Sequence, residues 1–184
     1  MATLITLQDY KAYAGISNSN SDAKLTITLD LVEEFVETYC GRKFLSGTYT
    51  EQLSSEASTL FPRNLPITSV TGLSYIDTSK VSQSIDAADY IVYSEEGIVE
   101  IFDHNALSVA SILRPFSITY VGGFTSTPAA LKLALMDLVT YYDKQQYINK
   151  TTSVNVNVLG QDDESEGSEL PPHIKRVLDL YRVL

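Results

Sequence analysis

Ile118-Thr119-Tyr120-Val121, Gly122-Gly123, Phe124-Thr125-Ser126-Thr127-Pro128: an apolar strand, a glycine stop and a helix start stand in succession within the segment Ser117 to Tyr147. Glycine tolerates backbone angles that other residues avoid, so Gly122-Gly123 ends the strand. Threonine can cap free helix N–H groups and proline suits the first helical turn, so Thr127-Pro128 opens a helix. No Gly or Pro interrupts the run that follows. At 100° per residue, Leu131, Ala134, Leu135, Leu138, Val139, Tyr141 and Tyr142 cover well over half of that helix. Lys132, Asp137, Asp143 and Lys144 hold the remaining arc, yet Leu133 and Met136 sit among them. A helix apolar on more than one side needs more than one partner. A second copy of the chain is a candidate for one of them.

Working outward, Leu7 to Ala14 reads as a short helix capped by Thr6 and stopped by Gly15. Leu25 to Cys40 is ambiguous at its start, because Leu25-Thr26-Ile27-Thr28-Leu29-Asp30-Leu31 alternates like a strand. Leu25, Leu29, Val32, Val36 and Tyr39 also follow helical spacing, and Gly41 stands where a helix ends, so a helix is expected. Between Phe44 and Val121 the texture is that of short strands. Thr48–Leu53 and Ser69–Ile76 alternate, Leu60–Ile67 is a proline-punctuated crossing, and Tyr90–Tyr93 with Ile98–Phe102 reads as a hairpin around Ser94–Gly97. Beyond the long helix, Thr152 to Leu159 alternates strictly, and Gln161 to Glu169 is acidic and polar. Leu170-Pro171-Pro172 then opens a last helix with Ile174, Val177, Leu178 and Tyr181 on one face. The expected fold class is α+β: a small helical bundle frame, an inserted antiparallel β module, and an extended C-terminal arm ending in a short helix. In domain terms, 1–149 is the frame with the β module at about 44–121, and 150–184 is the arm and its helix.

The 184 residues carry a net charge of −10, with 13 basic and 23 acidic side chains. The densest basic spots are Arg42-Lys43 and Lys175-Arg176, which is no footprint for gripping DNA. One cysteine, Cys40, excludes an intrachain disulfide framework. The N-terminal residues lack the basic start and apolar run of a signal peptide. No apolar run approaches the roughly eighteen residues of a membrane span, so no membrane partner is expected.

Candidate chemistry is sparse. His104 and His173 are remote in sequence, and a lone loop histidine reads as a solvated side chain. Cys40 lies on an apolar helix face and reads as core. Asp162-Asp163-Glu164-Ser165-Glu166 lacks the alternating ligands of a calcium loop. Gly122-Gly123 lacks the Gly-Lys-Ser/Thr of a phosphate-binding loop. Tyr141, Tyr142 and Tyr147 could stack on bases but have no basic groove beside them. An enzyme is not expected, and no cofactor or metal is implied.

The order of these pieces resembles the head–tail connector (adaptor, or head-completion) proteins of tailed phages. The resemblance rests on Tyr39-Cys40-Gly41-Arg42 after a second helix, Leu65-Pro66-Ile67-Thr68-Ser69-Val70 entering strands, and Ile118 to Phe124 before a proline-started helix. Leu170-Pro171-Pro172 and Tyr181-Arg182 complete it. The departures are Thr78 to Asp89, which reads as extra loop, and the long acidic arm. The resemblance implies a structural virion protein of the neck, assembled in the host cytoplasm. It implies a homo-oligomeric ring, typically twelvefold, that joins the portal of the DNA-filled capsid to the tail or tail stopper. Double-stranded DNA would pass through without specific binding. The alternatives are another neck or tail-completion protein, or a soluble α+β protein-binding module without a ring.

On that footing Leu133 and Met136 become the expected subunit interface, with Met136→Glu the change that blocks the ring and spares the monomer. Glu95, Glu96, Asp162, Asp163 and Glu164 are the expected channel-lining acids. Val154, Val156 and Val158, one side of an unpartnered strand, are expected to bind the portal together with Ile174, Val177, Leu178 and Tyr181. A chain cut after Asn149 is expected to stay folded and lose that attachment.

Overall fold

The computed structural model describes residues 3–54, 58–144 and 170–183. The chain divides into two compact units: residues 1–41 with 127–184, and residues 42–126. The first is helical and the second is built of strands, which gives the α+β class expected from the sequence.

The helical unit holds α1 (Leu7–Ala14), α2 (Asp22–Cys40), α3 (Ala129–Asp143) and α4 (Pro172–Asp179). Thr6 and Asp9 form a reciprocal capping box at the start of α1, and Gly15, in the left-handed region, closes it. α2 begins one turn earlier than the apolar spacing predicts and keeps its strand-like threonines inside the helix. Thr26 and Thr28 donate their hydroxyls back to the Asp22 and Lys24 carbonyls, at 2.9 and 3.0 Å. Those two bonds satisfy the threonine hydroxyls inside the helix. Pro128, not Thr127, occupies the N-cap of α3 and makes no side-chain cap bond. Thr127 Oγ1 donates instead to the Leu4 carbonyl at 2.6 Å, tying the N-terminal segment to the start of α3. Leu25, Val36, Leu131, Leu135, Leu138 and Leu178 are among the fully buried side chains of this unit.

In the second unit, β1 (Gly47–Leu53), β7 (Phe116–Gly122), β3 (Ile67–Ile76) and β4 (Ser82–Ser84) form an antiparallel sheet in that order. A smaller antiparallel sheet runs β2 (Thr59–Leu60), β6 (Ile98–Ile101), β5 (Tyr90–Tyr93). β7 is central and buries every second residue, Phe116, Ile118 and Tyr120, while β1 and β3 flank it. Two short strands escape the sequence reading. β2 lies at the edge of the proline-punctuated crossing, and β4 falls inside the stretch read as extra loop. There Asp77 fixes the turn by accepting from Val81 N–H at 2.9 Å and Gln83 Nε2 at 2.8 Å, and Ile85 is carried into the core.

Gly122 and Gly123 are more than a stop. A Cβ on Gly122 would stand 2.1 Å from the Asn64 carbonyl oxygen, and one on Gly123, at φ +95°, 2.5 Å from that of Leu45. Close backbone approach, not only turning, requires glycine here. Phe124 N–H then bonds the Phe44 carbonyl at 2.7 Å, so the segments leading into and out of the β unit are laced together.

Candidate assembly surfaces

A cavity of 220 Å³ in the β unit is lined by Tyr75, Ser84, Asp89, Phe102, Asp103 and Leu107, among others, with no histidine, lysine or cysteine in its wall. His104 stacks beside Phe116 at 5.7 Å between ring centroids, and His173 lies 3.8 Å from Asp137. No cluster of three His, Cys, Asp or Glu side chains among the described residues is placed to hold a metal ion. No described helix is long and apolar enough to cross a membrane.

The polar centre of the β unit is structural. Tyr120 donates its hydroxyl to the Glu51 carboxylate and accepts from Asn64 N–H at 3.0 Å and Asn64 Nδ2 at 3.2 Å. Burial, and then the Glu51 hydrogen bond, push the Tyr120 phenol well above its ordinary range. Arg42, buried on Phe44 and Phe124 at 5.3 and 5.7 Å, donates to the Leu65 carbonyl. These contacts lock the crossing between β2 and β3 over the end of β7. Leu65 in turn packs where a Cβ on Gly97 would stand, so the hairpin turn is pinned to the same crossing.

What the fold leaves outward is apolar or charged. On α3, Leu133 is 51% exposed, whereas Met136 is 9% exposed and already packed inside its own unit. The two residues expected to act together therefore part, because Met136 borders the buried arc and Leu133 lies opposite it. Ile174 and Leu178 of α4 are buried, Val177 and Tyr181 half-buried. α4 is stitched to the end of α2. Tyr39 donates to Asp179 Oδ1 at 2.6 Å, Val183 N–H bonds the Cys40 carbonyl at 2.9 Å, and Arg182 lies over the Tyr39 ring at 5.6 Å. The α4 face expected to meet a portal is thus occupied within the chain. Cutting after Asn149 would strip that cover from α2 and α3, so the truncation expected to stay folded is corrected to a destabilised one. Glu95 and Glu96 stand exposed at the tip of the β5–β6 hairpin. Val154, Val156, Val158, Asp162, Asp163 and Glu164 lie outside the described residues.

One surface was missed by the sequence reading. Ile27 and Leu31, one turn apart on α2, are 61% and 60% exposed, on the side away from Leu25, Leu29 and Val36. Asp30 and Glu34 are exposed beside them. The signal was present in the same residues that made this segment look like a strand: alternation puts apolar side chains on both sides of a helix.

Outward apolar side chains on the helical unit mark a surface suited to a partner. The chain belongs to the head completion protein family, which it matches over residues 3–184, and so is a structural component of the capsid–tail junction, the virion neck. It is 25% identical to the head completion protein of Escherichia phage T5 over 183 residues, covering 97% of this chain and 98% of that protein. Its fold is similar to a chain in the neck of an empty gene transfer agent particle determined with C6 symmetry. The TM-score there is 0.59 at 14% identity, over 98% of this chain and 90% of the other. A chain in the native particle's neck, determined with C12 symmetry, gives 0.56 at 15%, over 100% and 93%.

Proposed function

We propose that copies of this chain form a ring, twelvefold, that sits under the portal of the filled capsid and presents the docking surface for the tail or tail stopper. The observation that carries this reading is the family membership across nearly the whole chain. The fold likeness to a neck chain in a particle with C12 symmetry supports the ring and its order. The role is mechanical: binding in sequence, with no bond made or broken. Leu133 is the α3 contribution to the contact between copies. Leu133→Glu tests this cleanly, because the side chain is exposed in the single chain, whereas Met136→Glu would put a charge into the chain's own core.

Glu95 and Glu96 line the channel, where like charge keeps DNA sliding rather than held. Val154, Val156 and Val158 attach the ring to the portal by covering an apolar surface there. The deciding experiment is electron microscopy of tail-less, portal-bearing heads incubated with the purified full chain. A ring of added density under the portal, restoring tail attachment, is expected; heads that stay bare at saturating protein would overturn the proposal. Val154→Asp with Val156→Asp and Val158→Asp in the full chain should abolish head binding without altering the fold, and unchanged binding would move the attachment elsewhere.

A further inference from the structure

We infer that neighbouring copies meet head to tail through two faces of the helical unit, the outer face of α2 in one copy seating against the outer face of α4 in the next. This rests on the ring reading and names the surfaces that would make it. A ring needs two different, complementary patches on each copy, because the same patch used twice closes a dimer instead.

Two such patches are present on the helical unit. The α2 patch is apolar with a net acidic rim: Ile27 and Leu31 turned outward, with exposed Asp30 and Glu34 beside them, while Lys24 on the same face is paired with Asp143 at 2.7 Å. The α4 patch is apolar with a net basic rim: Leu180 at 79% exposure, with exposed Lys175 and Arg176 on the preceding turns and Asp179 engaged by the Tyr39 hydroxyl. Leu133 extends the second patch, since it lies one turn along α3 from Asp137, the residue that His173 of α4 approaches. The charges oppose each other in a chain whose net charge is −10, so α4 offers a rare basic landing for an acidic face. Apolar side chains in each patch, with net charge of opposite sign beside them, give both attraction and register. Two α2 faces, or two α4 faces, would instead repel, which disfavours pairing like with like.

The test is a charge swap in the full chain. Lys175→Glu with Arg176→Glu makes one variant; Asp30→Lys with Glu34→Lys makes the other. Each alone should lose at least about tenfold in self-association, since like charges are set face to face. Mixed together they should recover, because every contact in an alternating ring again joins opposite charges. A single chain carrying all four changes should recover as well. Circular dichroism identical to the parent shows that folding is untouched. In parallel, Leu31→Cys and Leu180→Cys on one chain should cross-link between copies with a short bis-maleimide; Cys40 is buried and out of reach. If the parent forms rings and both swaps do too, or the cross-link never joins two copies, the inference falls while the ring stands. If the parent forms no multimer in solution or on portal-bearing heads, the ring reading falls and takes the inference with it. Dilute Leu31→Cys protein should also react with a water-soluble maleimide at the rate of an exposed thiol. Protection there would give the α2 face to another part of the same chain and overturn the inference.

Discussion

The two units solve the problem of burial differently. In residues 42–126 the polar groups point inward and are answered there: Tyr120, Asn64 and Glu51 satisfy one another, and Arg42 lies between two aromatic rings. In the helical unit most polar contacts sit at the rim, as Lys24–Asp143 and Lys132–Asp9 do, while Ile27, Leu31, Leu133 and Leu180 face outward. A polar centre whose members bond one another, as Tyr120, Asn64 and Glu51 do, holds the segments it joins in one arrangement. A unit with apolar helix faces left outward is shaped to be covered. The β unit also leaves apolar side chains outward, Ile112 and Leu113 among them, so the contrast between the units lies in how each treats its polar groups, and mutations can break it at either end.

The largest effect is expected at Gly122. Any side chain there meets the Asn64 carbonyl, a backbone atom that cannot step aside without moving the crossing. Gly122→Val should cost more than about 4 kcal/mol and leave the β unit unfolded. Loss of soluble protein or of its cooperative melt is the readout, and a parent-like melting curve would mean the close approach is not rigid. Next comes Leu178→Ala, which removes a fully buried side chain from the contact of α4 with α2 and α3. It should cost about 2–5 kcal/mol, while Leu180→Ala, at an exposed position, should leave the melting temperature unchanged. Equal effects from the two would erase the distinction between an inward and an outward face of α4.

Those two sites also show what the sequence could and could not disclose. The strand–glycine–helix order, the hairpin and the capped α1 are local, and local chemistry writes them into adjacent residues. β4 is not local: Ser82-Gln83-Ser84 has no strand propensity, and it pairs only because β3 offers an edge and Asp77 closes the turn. The apolar stripe of α4 was legible, but its partner was not, since periodicity says that a face is covered and never by what. Leu133 and Met136 looked alike on the helical wheel. Their separation depends on how far α1 and α2 reach around α3, which no residue on α3 encodes.

A third effect, smaller, sharpens the inward-polar side of the comparison. Tyr120→Phe leaves Asn64 and Glu51 without the hydroxyl that joins them and should cost about 1–3 kcal/mol. The parent should also weaken in alkali. The folded phenol titrates above the ordinary value of 10.0, so its contribution is intact below that pH and is lost as pH rises beyond it. Denaturant midpoints followed from neutral pH into alkali should fall more steeply for the parent than for Tyr120→Phe. Parallel slopes would mean that Tyr120 is not the group being sensed.

The smallest effect belongs to the rim of the helical unit, where Asp9 closes the capping box of α1. Asp9 is held below the usual carboxylate value first by the Thr6 hydroxyl, at 2.7 Å, and then by Lys132 across on α3, at 3.0 Å. A carboxylate whose folded value is depressed stabilises the fold above its unfolded value of 3.8, and the contribution is lost as pH falls through the depressed one. Thr6→Ala should therefore cost about 1 kcal/mol at neutral pH and progressively less in acid, where the parent loses the same interaction. Asp9→Asn should flatten the acid dependence without affecting the alkaline one, which belongs to Tyr120. Asp77, depressed by the Val81 N–H and by Gln83, titrates in the same direction in the other unit, so Asp77→Asn is the matched control. If Asp9→Asn leaves the acid slope of the helical unit unchanged while Asp77→Asn alone flattens the total, acid sensitivity lies in the β4 turn and the α1 cap is a bystander. If both contribute, the two units carry separate acid-labile rims around cores that treat their polar groups differently.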